Sequence, residues 1–529
     1  MKQKYTIYKL ILAVLALVVV FGAPRIAHTP GYQANSDTPE AIIEQPGSPL
    51  PNPVSSVNRH VPAQAKQTYA KDKLRDSGDQ KRYYLLNTPN DYNSGSDWWL
   101  NVIDAPAAWS ITTGSTNVVV ADIDSGFALD HQDLVDNWYY NAAEYGAGKE
   151  SDGIDNDNNG LIDDYRGWDF FTGDNDPQAG VLNPAGDGIG HGSETAGLVG
   201  SVGDNSLGGT AVSQRVSIMP LQVINDNNSG YSDDVASAIY YAVDQGADVI
   251  NMSLGTSGDD PTVGAAVDYA FANNVVVVAA AGNCGNAGAD GPCSGQSQGY
   301  VTFPARYDRV IAVGATSINN TRASFSSYGE RLDVVAPGSG SISSPTWTNG
   351  NSTSAYKSSL YGTSYASPIV SSTVALIRSI RPSSSVDDIR ALIMASANKV
   401  SGLDGAVYTA SYGHGLLDVS KAIKIGNDLQ NDGEVVPELL QAGGAASEGS
   451  YASSEPIGSG CVGANGSWCS VWLRNDASSY ERFLPYAKIG ASGKAGWSFN
   501  SAALNRGSWE IRARSGSTVS DTPYYLFRK

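Results

Sequence analysis

At 529 residues the chain exceeds one ordinary domain, and 16% charged residues with 58 glycines exclude a coiled coil or a highly charged disordered chain. A formal net charge of −19 argues against a protein that grips nucleic-acid phosphates through clustered Lys and Arg. The same acidity fits a solvated surface and oxygen-rich sites for divalent cations.

The chain starts with Lys2, Lys4 and Lys9 ahead of an apolar run from Leu10 to Gly22. A charged stretch followed by a short apolar one is the pattern of a secretory signal over residues 1–23, short for a membrane span. Retention of this run as an N-terminal anchor is the alternative. Residues 24–88 are rich in Pro, Ser, Asn and Gln and lack periodicity, which predicts a solvated pro-segment or linker.

From residue 89 the texture changes. Continuous apolar runs at 117–123, 216–221, 247–253, 275–281 and 310–314 alternate with helical patterns at 191–199, 231–244 and 262–272. This predicts an α/β domain over residues 89–425, with a parallel sheet covered by helices on both faces. Sites in such sheets lie past the carboxyl ends of strands, where Asp124 and Asn283 fall. Helical patterns at 386–399 and 413–422 close the domain. Residues 426–456, rich in Gly, Ala, Ser and acids, read as a linker. Residues 457–529 contain short alternating runs, such as Cys469-Ser470-Val471-Trp472-Leu473 and Trp509-Glu510-Ile511-Arg512-Ala513, and read as a small β domain of unassigned role.

The four cysteines form two close pairs, Cys284 with Cys293 and Cys461 with Cys469. Four cysteines allow three connectivities, and the short loops favour local pairing. No His adjoins either pair, so a zinc site is not indicated, and disulfides imply an oxidising compartment.

Gly362-Thr363-Ser364-Tyr365-Ala366-Ser367-Pro368 precedes an apolar run at 369–380. That places Ser364 in the first turn of a buried helix, where unbonded N–H groups and the helix dipole favour developing negative charge. A serine there becomes a nucleophile only beside a base. Of five histidines, His28 and His60 fall in the unpatterned N-terminal part, leaving His131, His191 and His414. His191, in Gly190-His191-Gly192-Ser193-Glu194-Thr195-Ala196-Gly197, opens a helix among small residues and has the most open setting.

With these stretches, Asp122-Ile123-Asp124-Ser125-Gly126, Ala280-Ala281-Gly282-Asn283 and Ile250-Asn251-Met252-Ser253-Leu254-Gly255, the chain resembles the subtilase family of serine endopeptidases, its thermitase-like branch most closely. The resemblance covers residues 89–425, and its Asp, His, Ser order is that of subtilisin. It implies Ser364 as nucleophile, His191 as general acid–base and Asp124 as the group that orients the imidazole. It implies Asn283 and the Ser364 N–H as oxyanion donors. Ser253-Leu254-Gly255 and Ser229-Gly230 would pair with an extended substrate, and Thr302 would narrow the primary pocket.

Three positions depart from the family pattern. Glu194 replaces the usual second His, and a carboxylate there is expected to raise the His191 pKa. Tyr365 replaces the usual Met after the nucleophile. Cys284 directly follows Asn283, so a bridge to Cys293 would brace the oxyanion donor and one pocket wall.

Asp155, Asp157, Asn159, the Leu161 carbonyl and Asp163 follow the first half of an EF-hand-type calcium loop, with Gly160 at the turn. Arg166 stands where the usual bidentate Glu would be, so the standard loop is incomplete, with Asp163, Asp164 and Asp152 the candidates to complete it. From the resemblance alone, Asp133 and the loop at Asn205 match the family's strong calcium site.

These readings converge on a secreted, calcium-stabilised, monomeric serine endopeptidase acting on protein or peptide substrates, with no nucleic-acid partner and no membrane contact unless the N-terminal run is retained. Two other readings stay open: a tethered processing protease of narrow specificity, and a catalytically silent calcium-binding adhesion protein on the same fold.

Overall fold

The computed structural model describes residues 88–180, 183, 189–286, 291–404 and 406–432, with the strands and joins named below beyond them. The expected leader, 1–23, and pro-segment, 24–88, lie outside the described residues except for Thr88.

Seven strands form the central sheet: β1 (Gly114–Asp124), β2 (Trp168–Asp169), β3 (Arg215–Gln222), β4 (Val249–Met252), β5 (Val276–Ala280), β6 (Ile311–Ser317) and β7 (Val334–Ser339). Their order is β2-β3-β1-β4-β5-β6-β7, and every neighbouring pair is parallel. Consecutive Val and Ile make this possible, because a strand buried on both faces needs apolar residues at every position. Val120 pairs with Ile218 on one side and Val249 on the other, and all three are wholly buried. The five expected strands are present. β2 and β7 have no counterpart among them, because two residues, or one short apolar run bounded by Pro and Gly, give too little pattern.

The helices are α1 (Trp98–Val102), α2 (Ala105–Ala108), α3 (His191–Gly200), α4 (Ser232–Asp244), α5 (Pro261–Ala272), α6 (Thr363–Ile380), α7 (Val386–Ser396) and α8 (Val419–Asp432). α3 and α6 pack together over one face of the sheet, and α4 and α5 over the other. α6 is the buried spine of the domain and packs against β1, β4, β5, β6 and β7. Its Ile369, Val370, Val374, Leu376 and Ile377 are almost wholly buried, each worth about 1.5–3 kcal/mol relative to exposure.

Two helix ends differ from expectation. α7 starts on a Ser385/Asp388 capping box but stops at Ser396, because Asn398 leaves to bridge with Leu416. The helix expected at 413–422 begins only at Val419, since residues up to Leu416 are used in that bridge and in another to Val335. It then runs to Asp432, into the stretch read as linker. Buried Leu429 holds it there, and Asp428 accepts the Trp468 indole N–H at 3.0 Å.

Beyond it, β10 (Glu438–Leu440), β12 (Pro456–Val462) and β16 (Lys494–Asn500) form one sheet. β11 (Gly449–Tyr451), β19 (Tyr524–Arg528), β17 (Gly507–Ser515), β13 (Trp468–Asn475) and β14 (Glu481–Phe483) form another. The two alternating runs seen in the sequence pair directly, Val471 with Ala513 and Leu473 with Ile511. β14 docks on the larger domain through Arg390–Glu481 at 2.6 Å and Arg482–Glu330 at 2.9 Å.

Candidate active site

Asp124 ends β1 and His191 begins α3, so both stand at the carboxyl edge of the sheet. His191 Nδ1 lies 2.6 Å from Asp124 Oδ1, and Asp124 is 2% exposed. The Ser125 N–H donates to the same oxygen at 2.6 Å. A carboxylate fixed in this way keeps the imidazole proton on Nδ1 and leaves Nε2 to accept. Burial pulls the imidazole pKa down, but the Asp124 charge and hydrogen bond outweigh it, and the net shift is upward from 6.5. A Cβ at Gly192 would meet the Ser125 carbonyl at 2.4 Å, so glycine is what lets α3 approach β1.

Ser364 lies two residues after Gly362, whose φ of 151° and ψ of 153° are open essentially to glycine alone. The Ser364 hydroxyl donates to the Ser253 carbonyl at 3.1 Å. Pro368 lacks the N–H that would bond the Ser364 carbonyl one turn earlier, and Ser253 Oγ donates to that carbonyl instead, at 2.8 Å. These two bonds clip the first turn of α6 to the end of β4. Passing the hydroxyl proton to the imidazole requires the hydroxyl to leave Ser253, a side-chain adjustment of the kind substrate binding brings.

Asn283 lies just past β5. Its Oδ1 accepts from the Thr363 N–H at 3.0 Å and from Thr363 Oγ1 at 3.1 Å. With its oxygen so occupied, Asn283, which is exposed and lines the cleft, has Nδ2 as its remaining polar group. Asp124, His191, Ser253, Asn283 and Ser364 share one cleft of about 580 Å³.

Leu254 and Gly255 line this cleft and a second cavity of about 360 Å³, which Gly230, Tyr231 and Phe303 also line. Ser229 lines neither, and its carbonyl accepts the Asn225 N–H at 2.9 Å. Thr302 is 1% exposed and forms part of the cleft wall, close enough that a Cβ on Gly255 would meet its hydroxyl at 2.6 Å.

Cys284 and Cys293 are bonded, and Cys293 lines the cleft with Gly291 and Pro292. A cross-link spanning nine residues stabilises by about 3 kcal/mol in the chain-entropy picture. Reduction is therefore expected to lower kcat/KM on a peptide while the far-ultraviolet circular dichroism holds. Joint loss of both, or loss of neither, contradicts a bracing role. Cys469 is also disulfide-bonded, whereas the side chain of its expected partner Cys461 lies outside the described residues.

Two of the departures from the family pattern touch each other. Tyr365 Oη donates to Glu194 Oε2 at 2.6 Å, while Lys357 Nζ and Thr346 Oγ1 reach Oε1, both at 2.9 Å. Glu194 raises the imidazole pKa, as expected, but behind Asp124 in effect, and Lys357 offsets its charge. Lys357 and Thr346 gave no sequence signal, because they lie far downstream on the hairpin of β8 (Ser344–Pro345) and β9 (Tyr356–Lys357).

The other two candidate histidines are structural. His131 Nε2 donates to the Ala355 carbonyl at 2.9 Å, and its Nδ1 accepts the Asp133 N–H at 3.2 Å. His414 Nδ1 donates to the Asp333 carbonyl at 2.9 Å, and its Nε2 accepts the Phe483 N–H at 3.1 Å.

In the acidic loop the carboxylates that converge are Asp157, Asp164 and Glu144, with oxygens within 4.8 Å of one another. Glu144 and Asp164 are wholly buried, and none of the three has an ion-pair partner among the described residues. Asn159 Nδ2 bridges Asp157 and Asp164 at 3.1 and 2.8 Å, and its Oδ1 accepts the Leu161 N–H. Asp155 turns back to the Asn159 and Gly160 N–H groups, and Asp163 to that of Gly153. Elsewhere Asn205 links two acids. Its Nδ2 donates to Asp133 Oδ1 at 2.8 Å and its N–H to Asp91 Oδ2 at 3.1 Å. Glu144 and Asp91 were missed in the sequence because neither stands in a ligand-spaced motif.

A carboxylate-held imidazole, a serine at a helix N-terminus and an amide donor in one cleft define a hydrolase equipped for acyl transfer through a serine. Residues 115–415 match the subtilase family model, and the chain belongs to that family. It is a subtilisin-like serine endopeptidase of the thermitase-like kind. Over 316 residues it is 36% identical to thermitase of Thermoactinomyces vulgaris, covering 60% of this chain and 93% of that protein. It is 42% identical to subtilisin DY of Bacillus licheniformis over 236 residues, 45% of this chain and 78% of the relative. A halolysin-like extracellular serine protease of Natrialba magadii is 29% identical over 332 residues, 62% of this chain and 53% of its own length. Among solved structures, a Pseudoalteromonas arctica PAMC 21717 protease aligns with a TM-score of 0.50 at 27% identity, covering 64% of this chain and 99% of its own.

Proposed function

We propose that Asp124, His191 and Ser364 form the catalytic triad, and that the protein is secreted and held by calcium. The observation that carries the triad is the 2.6 Å contact of His191 Nδ1 with Asp124, at the cleft that also holds Ser364 and Asn283. Ser364 Oγ attacks the scissile carbonyl as His191 Nε2 takes its proton. The C–N bond breaks as Nε2 returns that proton to the leaving amine, and water then cleaves the Ser364 ester by the same route. Asn283 Nδ2 and the Ser364 N–H hold the oxyanion. An extended peptide adds as a strand beside residues 253–255, with Gly230 across from it and Thr302 restricting the primary pocket.

A serine-directed phosphonate tests the assignment. An adduct on Ser364, prevented by denaturation, is expected; labelling elsewhere, or none, removes it. Asn283→Ala is expected to lower kcat by roughly 10²–10³ with little change in KM. A change confined to KM would mean that Asn283 binds substrate rather than the oxyanion.

Secretion is supported by the leader pattern at 1–23 and by the Natrialba magadii relative, which is an extracellular protease. Among the described residues no helix is long and apolar enough to cross a membrane.

Calcium fits two clusters. Asp91 Oδ1 is buried beside Asp133 and Asn205 with no hydrogen-bond partner among the described residues, and burial pushes the Asp133 carboxyl up to about 7. Glu144, Asp157 and Asp164 crowd three carboxyl groups together with no ion-pair partner among the described residues. Both donor sets are all oxygen, which suits a hard cation. Bound calcium would supply charge compensation there and hold the two loops.

A further inference from the structure

Behind Asp124 lies a second acid that the triad does not use. Asp122 is two residues earlier on β1, so its side chain shares the face of Asp124. It is wholly buried, as are Thr195, Asn251, Ser367 and Ser371 around it. Asp122 Oδ1 accepts from Asn251 Nδ2 at 2.8 Å, and Oδ2 lies 2.9 Å from Thr195 Oγ1. Thr195 Oγ1 is also 3.0 Å from the Gly192 carbonyl and 3.5 Å from Asp124 Oδ2.

The orientation of Asn251 is fixed by its neighbours. Ser253 spends its hydroxyl proton on the Ser364 carbonyl, so it must accept from Asn251 Nδ2, at 3.2 Å. Asn251 Oδ1 then takes Ser367 Oγ and Ser371 Oγ, both at 2.9 Å. The amide is saturated, and it can only donate to Asp122.

Thr195 therefore decides the count. It has one proton and three oxygens within reach. If Asp122 were ionised, that proton would be divided among two carboxylates and a carbonyl, and two buried negative charges would sit together. A proton on Asp122 Oδ2 solves this. Asp122 donates to Thr195 Oγ1, and Thr195 donates onward to the Gly192 carbonyl in its own helix. The charged groups facing Asp122 are Asp124 on its own strand and His191 on α3. β4 and α6 present neutral Asn251, Ser367 and Ser371, and β3 pairs through Pro220.

We infer that Asp122 is a protonated carboxylic acid and a positioning residue, which through Thr195 and Asn251 ties together the elements carrying Asp124, His191 and Ser364 while leaving one negative charge behind the imidazole. The inference rests on the triad reading. Burial, with the Asp124 charge after it, raises the Asp122 carboxyl pKa, the direction that favours the protonated form. The arrangement parallels other enzymes that keep a buried acid neutral so that it can donate a hydrogen bond.

The test is the imidazole titration, followed by the acid limb of kcat/KM and by the His191 ring-proton resonance. A neutral Asp122 adds no charge, so Asp122→Asn, which can still donate to Thr195 and accept from Asn251, is expected to leave the midpoint in place. A fall of about one pH unit or more, the effect of removing a nearby carboxylate charge, overturns the inference. Asp122→Leu strands Asn251 and Thr195 and is expected to lower kcat roughly tenfold or more at unchanged KM, with Asp122→Asn recovering most of it. Full kcat in the leucine variant also overturns the inference. Should that variant not fold, Thr195→Val against Thr195→Ser gives the same contrast. Infrared difference spectra of wild type minus Asp122→Asn at neutral pH are expected to show the carbonyl band of a protonated carboxyl, and a carboxylate band in its place refutes it. If instead Asp124→Asn fails to move the imidazole midpoint, the triad reading itself falls.

Discussion

Ser364→Ala is expected to abolish proteolysis and leave the fold intact. The loss in kcat should be on the order of 10⁶, the cost of removing one member of such a unit in subtilisin itself. The geometry explains why the damage stays local. The hydroxyl makes one bond, to the Ser253 carbonyl at 3.1 Å, worth about 1 kcal/mol. The Ser364 carbonyl, the acceptor freed by Pro368, is kept in alanine together with its bond from Ser253 Oγ. The melting temperature should therefore move by no more than a few degrees. Adding His191→Ala should cost almost nothing further, because a base without its nucleophile does no chemistry. Residual rate of roughly 10³–10⁴ over water is expected to persist from the oxyanion donors and substrate positioning. Steady-state kinetics on a peptide and calorimetry on the same preparation check this. A variant that retains a hundredth of the wild-type rate would make another residue the nucleophile. A wild-type protein that neither cleaves nor takes a phosphonate would favour the silent adhesion reading.

The parts of this molecule that were legible in the sequence are those encoded by contiguous residues. Buried parallel strands need runs such as Val118-Val119-Val120 or Val276-Val277-Val278, and those runs stand in the chain whatever surrounds them. The residues proposed for the triad stand out in the sequence because each sits at a strand end or helix start marked by small residues. What was not legible depends on residues far apart in sequence. Glu194 and Tyr365 stood out as two separate departures, and only the fold joins them at 2.6 Å and brings Lys357 to neutralise the pair. The acidic loop offered ligands at alternate positions, yet the converging acids include Glu144, which lies outside any spacing rule. Asp122 is the clearest case. In the sequence it is one more polar residue at the end of a strand, and only its contacts with Thr195 and Asn251 set it apart.

Removing calcium is expected to cause the largest loss of stability. Three carboxylates with oxygens within 4.8 Å, two of them wholly buried, cost folding energy unless a cation compensates them. A ligand at 100 times its Kd that binds only the folded state adds about 2.7 kcal/mol, so two such sites add roughly 5 kcal/mol. For a domain of this size that corresponds to a fall of roughly 7 °C in Tm on chelation. The two clusters can be told apart. Asp91→Ala removes the buried oxygen that has no partner among the described residues, while Glu144→Gln takes one charge from the other cluster. Each should lower Tm in calcium and shrink, but not remove, the response to chelator, and the double variant should respond little. The sign in the absence of metal separates calcium from mere acid crowding. If the carboxylates only repel one another, Glu144→Gln raises Tm in chelator and calcium changes nothing. If calcium binds there, Glu144→Gln lowers Tm only when the ion is present. A melt identical with and without chelator would remove calcium from both clusters, and would leave Asp91 Oδ1 as a buried acceptor that the fold tolerates unpaired.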